Sequence, residues 1–263
     1  MASLVSYLSG SSHFSDLSIE LSRFFTAIGD VLFLAGSLWL LYLALEPYVR
    51  KFWPNNLVSW SRLLAGNVTD AKVGRDVLLG ALFGVGAALI FRADPAIRAL
   101  LGYPEPPPFA TNISLLEGNR QVLAAIASMM VSSMFNALWI VFGLVAVKLI
   151  VRRAWVSGVV MTLFLVAIDA GDVAQTPPAW VGLTLYVIVV AVIVFVAFRL
   201  GLLATVVLFF VQFGLNSAVL TSNSAAWFFS TSVTLLLIMI ALAVYGFYAS
   251  RGGEPLLGRR ILD

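Results

Sequence analysis

The stretch "AWVGLTLYVIVVAVIVFVAFRLGLLATVVLFFVQFGLNSAVL", residues 179–220, decides the fold because it is almost entirely apolar. As a single helix it would be roughly 63 Å long at about 1.5 Å per residue, about twice the hydrocarbon thickness of a bilayer. The chain must therefore turn back within this stretch. Arg199 and Gly201 provide the one break, so we expect a helical hairpin there, with glycine supplying the unusual backbone angle of the turn.

The rest of the chain has the same character. It is 61% apolar and only 11% charged, whereas a soluble domain carries about 25% charged residues. The apolar runs lack the alternation of a membrane β-barrel. We therefore predict an all-α polytopic membrane bundle of about seven transmembrane helices, near residues 24–45, 74–91, 121–150, 154–170, 179–198, 202–220 and 225–249.

These spans divide the chain into three parts. Residues 1–23 form an N-terminal polar segment with amphipathic helical spacing, and residues 251–263 form a tail. The transmembrane domain, 24–250, contains an elbow at 47–73 and a proline-rich outer loop at 93–120.

The distribution of lysine and arginine predicts the orientation. With seven spans and the N-terminus outside, twelve basic residues fall on one side of the membrane and four on the other. By the positive-inside rule the richer side is cytoplasmic. We therefore expect a protein of the bacterial inner membrane whose C-terminal tail is cytoplasmic.

The polar stretch "EPYVRKFWPNNLVSWSRLLAG", residues 46–66, is the first cytoplasmic connection under this topology. Pro47 is expected to end the first span, and Gly66 to end a short helix. Leu57, Trp60 and Leu64 share one face of that helix, so we predict an amphipathic helix lying in the membrane interface.

Five side chains of the elbow are predicted to anchor it at the membrane surface, since aromatic and basic residues favour that depth. They are Trp53, Trp60, Arg50, Lys51 and Arg62. Two interpretations remain open: the elbow is purely structural, or it is a docking surface for a cytosolic partner or domain.

The same stretch carries a family resemblance. The pieces "EPYVR", "WP", "SWSRLLAG" and "VGRDVLLG", within residues 43–80, closely resemble the start of the multi-pass membrane region that follows the kinase domain in many bacterial serine/threonine protein kinases, especially from Acidobacteria. The ending "YGFYASRGGEPLLGRRILD" resembles the end of that region. The resemblance covers about residues 41–263.

The resemblance implies a kinase-associated membrane domain, a cytosolic kinase or a membrane-protein complex as partner, and no assigned chemistry. This sequence lacks the glycine-rich phosphate loop, the "HRD" loop and the "DFG" motif of kinases. The chain is expected to be either a stand-alone version of the region or a piece of a longer product, and not to transfer phosphate itself.

Polar residues within or beside the spans are the candidate site, because ionisable groups are costly in a membrane and are often functional. They all fall in the outer half under the predicted topology. As ligand or ion-pair candidates we take Asp30, Arg92, Asp169, Asp172, Gln212 and Asn216.

Three roles are open for these residues. They make structural contacts, such as an ion pair between Asp30 and Arg92, or they form an outward-facing pocket for a cation or small polar ligand, or they line a transport route. Intramembrane hydrolysis is disfavoured, because cysteine is absent and the single His13 lies outside the spans. We predict no metal centre and no cofactor, and a lipid could be bound.

Small residues are spaced for close helix packing in the second span. Gly80 and Gly84 form a G-x-x-x-G motif, which Ala88 extends along the same face. The favoured use is packing within the bundle, and association between chains is the other.

Two hypotheses of function follow. In the first, the chain is an integral membrane module that acts as anchor, sensor or assembly platform, with the lipid bilayer as its environment and no nucleic-acid partner. In the second, it is a small transporter or channel that uses the carboxylates Asp30, Asp169 and Asp172.

Overall fold

The computed structural model describes residues 17–53, 56–103, 119–217 and 229–252. Within these ranges the chain is helical apart from short turns and ends. The helices are α1 Leu17–Phe52, α2 Val58–Leu64, α3 Ala71–Leu100, α4 Asn119–Val151, α5 Ala154–Val173, α6 Ala179–Arg199, α7 Leu202–Ser217 and α8 Phe229–Ser250.

Six of these helices are long and apolar enough to cross a membrane: α1, α3, α4, α5, α6 and α8. The seventh apolar helix, α7, has 16 residues within the described part of the chain, or roughly 24 Å at about 1.5 Å per residue. The prediction of an all-α polytopic bundle with about seven spans is confirmed. The remaining helix, α2, is the short helix of the elbow.

Helix α7 forms the centre of the bundle. It packs chiefly against α3 and α4, with further contacts to α6 and α8. Residues 201–209 are all buried, and Ala204 and Leu208 have no exposed surface at all. A helix that is apolar around its whole circumference belongs in the interior of a bundle, and here neighbouring helices cover it.

The G-x-x-x-G motif of α3 makes its closest approach to α7. A Cβ added at Gly80 would lie 2.5 Å from the carbonyl oxygen of Ala204, and one added at Gly84 would lie 2.7 Å from that of Leu208. Both distances are too short for a side chain, so the two backbones touch. The prediction that this motif packs within the bundle is confirmed.

The hairpin turn between α6 and α7 lies where the sequence predicts it. Helix α6 ends at Arg199, α7 begins at Leu202, and Gly201 between them has φ +99°. Only glycine adopts such an angle readily. A Cβ at this position would also collide with the backbone of Asn56 in the elbow.

Two helices run past prolines, and at the first of these, Pro47, we predicted that the span ends. Helix α1 continues through Pro47 to Phe52, and α3 continues through Pro95 to Leu100. A proline within a helix removes a hydrogen bond, but tertiary packing can compensate. Beyond Pro47, Val49 is completely buried, so packing favours the helical continuation.

The elbow helix also differs from its predicted placement. Leu57 and Trp60 are buried against the bundle, whereas Leu64 is 65% exposed. The three residues therefore do not share one environment, and Trp60 packs within the buried core of the bundle. The predicted stop at Gly66 is confirmed, since α2 ends at Leu64 and Gly66 has φ +84°.

Several predictions fall outside the described residues. Most of the N-terminal segment, residues 1–16, is among them, as are residues 104–118 of the outer loop and residues 253–263 of the tail.

Candidate functional site

The ends of several helices meet in one layer, which we call the basic end. The Tyr245 hydroxyl of α8 donates to the Val68 carbonyl oxygen at 2.6 Å, and a Cβ at Gly74 of α3 would collide with the last turn of α8. The Lys148 ammonium of α4 lies 4.5 Å above the ring of Trp53. These contacts bring the elbow and the adjoining helix ends together.

Charge at the basic end is strongly asymmetric in the described part of the chain. The basic side chains there are Arg50, Lys51, Arg62, Lys72, Arg75, Lys148, Arg152, Arg153, Arg199 and Arg251. The acidic ones are Glu46, Asp70 and Asp76. The excess of positive charge creates a favourable surface for anionic groups.

The start of the elbow caps the end of α6. Asn56 Nδ2 lies 3.1 Å from the Ala197 carbonyl oxygen and 3.2 Å from that of Phe198, and donates to both. Carbonyl groups in the last turn of a helix lack partners within the helix. The Trp53 ring packs edge-on against Phe198, with 5.5 Å between centroids. This part of the elbow is therefore held by polar and apolar contacts together.

A buried hydrogen bond holds α2 to α3. The Ser59 hydroxyl donates to the Asp76 carboxylate, and the two residues are only 2% and 1% exposed. The Arg75 guanidinium lies 3.4 Å from the other Asp76 oxygen. A carboxylate without a partner would be costly in this buried position. The hydrogen bond that Asp76 accepts therefore keeps Ser59 in place.

Asp70 connects the end of the elbow with the start of α3. Its Oδ1 accepts hydrogen bonds from the backbone N–H of Lys72 at 2.9 Å and of Val73 at 3.4 Å, as an N-cap does. Its Oδ2 accepts from Arg62 of α2 at 2.7 Å. The hydrogen bond from Arg62 holds the pKa of Asp70 below its usual range, aided by the two backbone donors.

The predicted anchors of the elbow have different surroundings. Arg50, Lys51 and Arg62 are exposed at the basic end. Trp53 is half-buried between Phe198 and Lys148. Trp60 is 9% exposed, and its indole Nε1 has no hydrogen-bond partner among the described residues.

Within the described part of the chain, no hydrogen bond or ion pair joins the predicted candidates of the outer half to one another. Arg92 of α3 donates to the Leu215 carbonyl oxygen near the end of α7. Asp30 is exposed on α1, and no ion pair joins it to Arg92 in the described part of the chain. The reason is that α1 packs against α4, whereas the expected pair required α1 to lie beside α3.

The remaining candidates lie on α5 and α7. Asp169 accepts a hydrogen bond from the Tyr186 hydroxyl, linking α5 to α6. Asp172 is exposed and accepts from Gln175 Nε2 at 3.1 Å. Gln212 is 5% exposed, and its Oε1 has no hydrogen-bond partner in the part of the chain that the structure describes. Asn216 is half-buried one turn further along α7. Within the described residues, no three acidic or histidine side chains are grouped closely enough to hold a metal ion.

Sequence reasoning missed Arg98, which is 2% exposed. Its Nε lies 2.7 Å from Asp94 Oδ2, and its Nη1 donates to the carbonyl oxygens of Thr176 at 2.7 Å and Pro178 at 3.3 Å. Arg98 thus fixes the end of α3 to the connection between α5 and α6. The spacing of four between Asp94 and Arg98 was a usable signal, but only for a helix that continues past Pro95.

Sequence reasoning also missed the roles of Asp76, Ser59 and Asn56. The two members of the buried pair lie 17 positions apart, a separation with no helical periodicity, and Asn56 reads as an ordinary turn residue.

Comparisons of this chain with protein-family models, curated proteins and solved structures found no match.

Proposed function

We propose that the chain is an integral membrane anchor and docking platform for a cytosolic protein, of the kind that the membrane region of bacterial serine/threonine kinases provides. One observation carries the proposal: the elbow between the first two spans is fixed to the bundle at several points. A connection that only had to join two spans would need none of these contacts.

The contacts use residues from the pieces that carry the family resemblance. Ser59 belongs to "SWSRLLAG" and Asp76 to "VGRDVLLG", and the buried hydrogen bond joins the two. Arg62 of the first piece binds Asp70, which caps the helix containing the second. These sequence pieces therefore serve to position the elbow.

The fixed elbow presents a surface suited to a protein partner. Leu64 is 65% exposed and Val68 is 46% exposed, both on the side away from the bundle. Arg62 precedes Leu64 by two residues, and the other basic side chains lie at the same end of the bundle. Exposed apolar side chains near basic ones favour a partner with an acidic, partly apolar surface.

The packing of the core supports docking over transport. Helix α7, at the centre, is buried along most of its length by close-packed neighbours. Thr205 uses its hydroxyl within its own helix, donating to the Gly201 carbonyl oxygen at 2.9 Å. Asp169 and Asp172 accept hydrogen bonds from separate partners, Tyr186 and Gln175.

Binding to a kinase tests the proposal. The chain in lipid nanodiscs is titrated with the soluble domain of a serine/threonine kinase from the same genome. We expect Leu64→Glu and Val68→Glu to weaken binding by about tenfold or more, because each places an acidic group in an apolar contact. Leu100→Glu is the matched control, since Leu100 is 87% exposed at the opposite end of α3. Equal loss with all three variants, or no binding by the unaltered chain, contradicts the proposal.

Orientation is tested separately with single cysteines, since the chain has none of its own. We place the basic end in the cytoplasm. Val68→Cys should then react with a membrane-impermeant maleimide only after the inner face is exposed, whereas Leu100→Cys should react in intact cells. The reverse pattern contradicts this placement.

A further inference from the structure

A cavity of about 250 Å³ lies beside the elbow at the basic end. It is formed by residues from the end of α1, from α2 and from the turn that follows. The lining includes Arg50, Leu57, Val58, Ser61, Arg62 and Asn67. It therefore combines two guanidinium groups, two polar side chains and an apolar wall.

The two arginines come from different helices and are each oriented by a carboxylate. Arg50 Nε lies 2.9 Å from Glu46 Oε1, and Arg62 Nη1 lies 2.7 Å from Asp70 Oδ2. Neither carboxylate lines the cavity. A guanidinium has five N–H donors, so each arginine keeps donors beyond those that bind its carboxylate.

Both ion pairs are exposed to solvent. The side chains of Arg50 and Arg62 are 60% and 46% exposed, and exposed ion pairs contribute only about 0–1 kcal/mol. Each arginine can therefore bind another anion without losing a strong interaction. A phosphate group suits such a place, because its oxygens match the fork of arginine donors.

The position and the apolar wall indicate the source of the phosphate. The cavity lies at the end of the membrane-crossing helix α1, and Leu57 and Val58 provide apolar surface beside the arginines. Basic pockets between helices at this depth bind anionic lipid headgroups. We propose that this cavity binds the phosphate of an anionic phospholipid, with Arg50 and Arg62 as its ligands. The proposal rests on the membrane setting of the bundle and not on a docking partner.

Thermal unfolding of the purified full chain in a neutral detergent tests the proposal. The unfolding midpoint is measured against increasing phosphatidylglycerol, with phosphatidylcholine and sodium phosphate at matched ionic strength as separate arms. We expect phosphatidylglycerol to raise the midpoint, and the two other additions to leave it nearly unchanged. An equal rise with phosphatidylcholine overturns the proposal, and so does a rise with sodium phosphate to which phosphatidylglycerol adds nothing.

Three variants assign the effect to the cavity. Arg50→Gln and Arg62→Gln should each weaken the apparent affinity for phosphatidylglycerol by about tenfold, since each removes charge-assisted hydrogen bonds. Ala65→Phe keeps every charge but fills part of the cavity, which Ala65 also lines. It should weaken binding as well.

Lys51→Gln is the charge-matched control. It lies next to Arg50 and removes the same charge from the same helix end, but it does not line the cavity. The apparent affinity of this variant for phosphatidylglycerol should stay within about twofold of that of the unaltered chain. A loss as large as that of Arg50→Gln would show general attraction to the basic end and would overturn the proposal. Because the readout is lipid-dependent stabilisation, loss of kinase binding alone leaves it unaffected.

Discussion

Helices α1 and α3 have nearly the same hydropathy and opposite surroundings. Both are long and apolar enough to cross a membrane, yet in the apolar part of each helix 6% of the residues are buried in α1 and 39% in α3. Hydropathy therefore predicts that both helices cross a membrane and says nothing about which one is central. What separates them is the row of small residues on α3, which lets α7 approach to backbone contact.

The largest effect is expected from a variant that places a side chain in the close contact between α3 and α7. Gly84→Leu should prevent folding, because even its Cβ would lie 2.7 Å from the Leu208 carbonyl oxygen. Such overpacking costs at least about 1–3 kcal/mol when the neighbours can adjust, and a helix backbone adjusts poorly. Size-exclusion chromatography of the detergent-solubilised protein would show aggregation.

Gly86→Leu is the matched control on the same helix. A Cβ at Gly86 would have nothing within 4 Å, so this variant should elute as the unaltered chain does. If both variants fold equally well, the close approach of α3 and α7 is wrong.

A second variant acts near the C-terminal end of α3. Arg98→Met should lower the free energy of unfolding by about 3 kcal/mol, since breaking a buried ion pair from one side costs about 3–5 kcal/mol and Asp94 keeps some exposure. The measurement is thermal or denaturant unfolding in detergent. The double variant Asp94→Leu with Arg98→Met should recover part of the loss. Additive losses would contradict the pairing.

A smaller effect is expected at the elbow as a function of pH. The pKa of Asp70 is lowered in the folded protein, chiefly by Arg62. Its contribution to stability is therefore present above the ordinary carboxyl pKa and is lost as the pH falls through the folded-state pKa. The unfolding midpoint of the unaltered chain should fall over this acidic range more than that of Asp70→Asn. Arg62→Gln should flatten the pH profile in the same way, and an unchanged slope in both variants would contradict this role.

The smallest effect is expected on α1. Asp30 is exposed and forms no ion pair with Arg92 in the described part of the chain, so Asp30→Asn should change the free energy of unfolding by no more than about 0.5 kcal/mol. A structural ion pair between Asp30 and Arg92 would instead predict that Asp30→Asn lowers the stability. A loss of about 2 kcal/mol or more in an unfolding titration would show that Asp30 has a partner in the folded protein and that α1 is less peripheral than described.

Features set by local sequence could be predicted. The fold-back at Gly201 follows from the length of an apolar run, and the end of α2 at Gly66 follows from the conformational freedom of glycine. The use of Gly80 and Gly84 follows from spacing on one helix face. Each of these depends on neighbours in the sequence or on the thickness of a membrane.

Features that depend on how the helices are arranged could not be predicted from the sequence. The expected pair of Asp30 with Arg92 assumed that consecutive spans are adjacent, whereas α4 lies beside α1. The pairing of Ser59 with Asp76 and the capping of α6 by Asn56 depend on where the elbow folds back. Residue types alone do not specify such contacts, because serine and asparagine are also common in ordinary turns.

The central claim is that the elbow is a fixed part of the bundle, and hydrogen exchange of the chain in nanodiscs tests it most directly. Within α2 the Ser61 amide donates to the Leu57 carbonyl oxygen and the Ala65 amide to that of Ser61. An isolated helix this short would be unstable in water. If the contacts with α3 and α6 hold it, these amides should exchange at least about a hundredfold more slowly than those of an unstructured peptide. Exchange at the rate of an unstructured peptide would contradict the account.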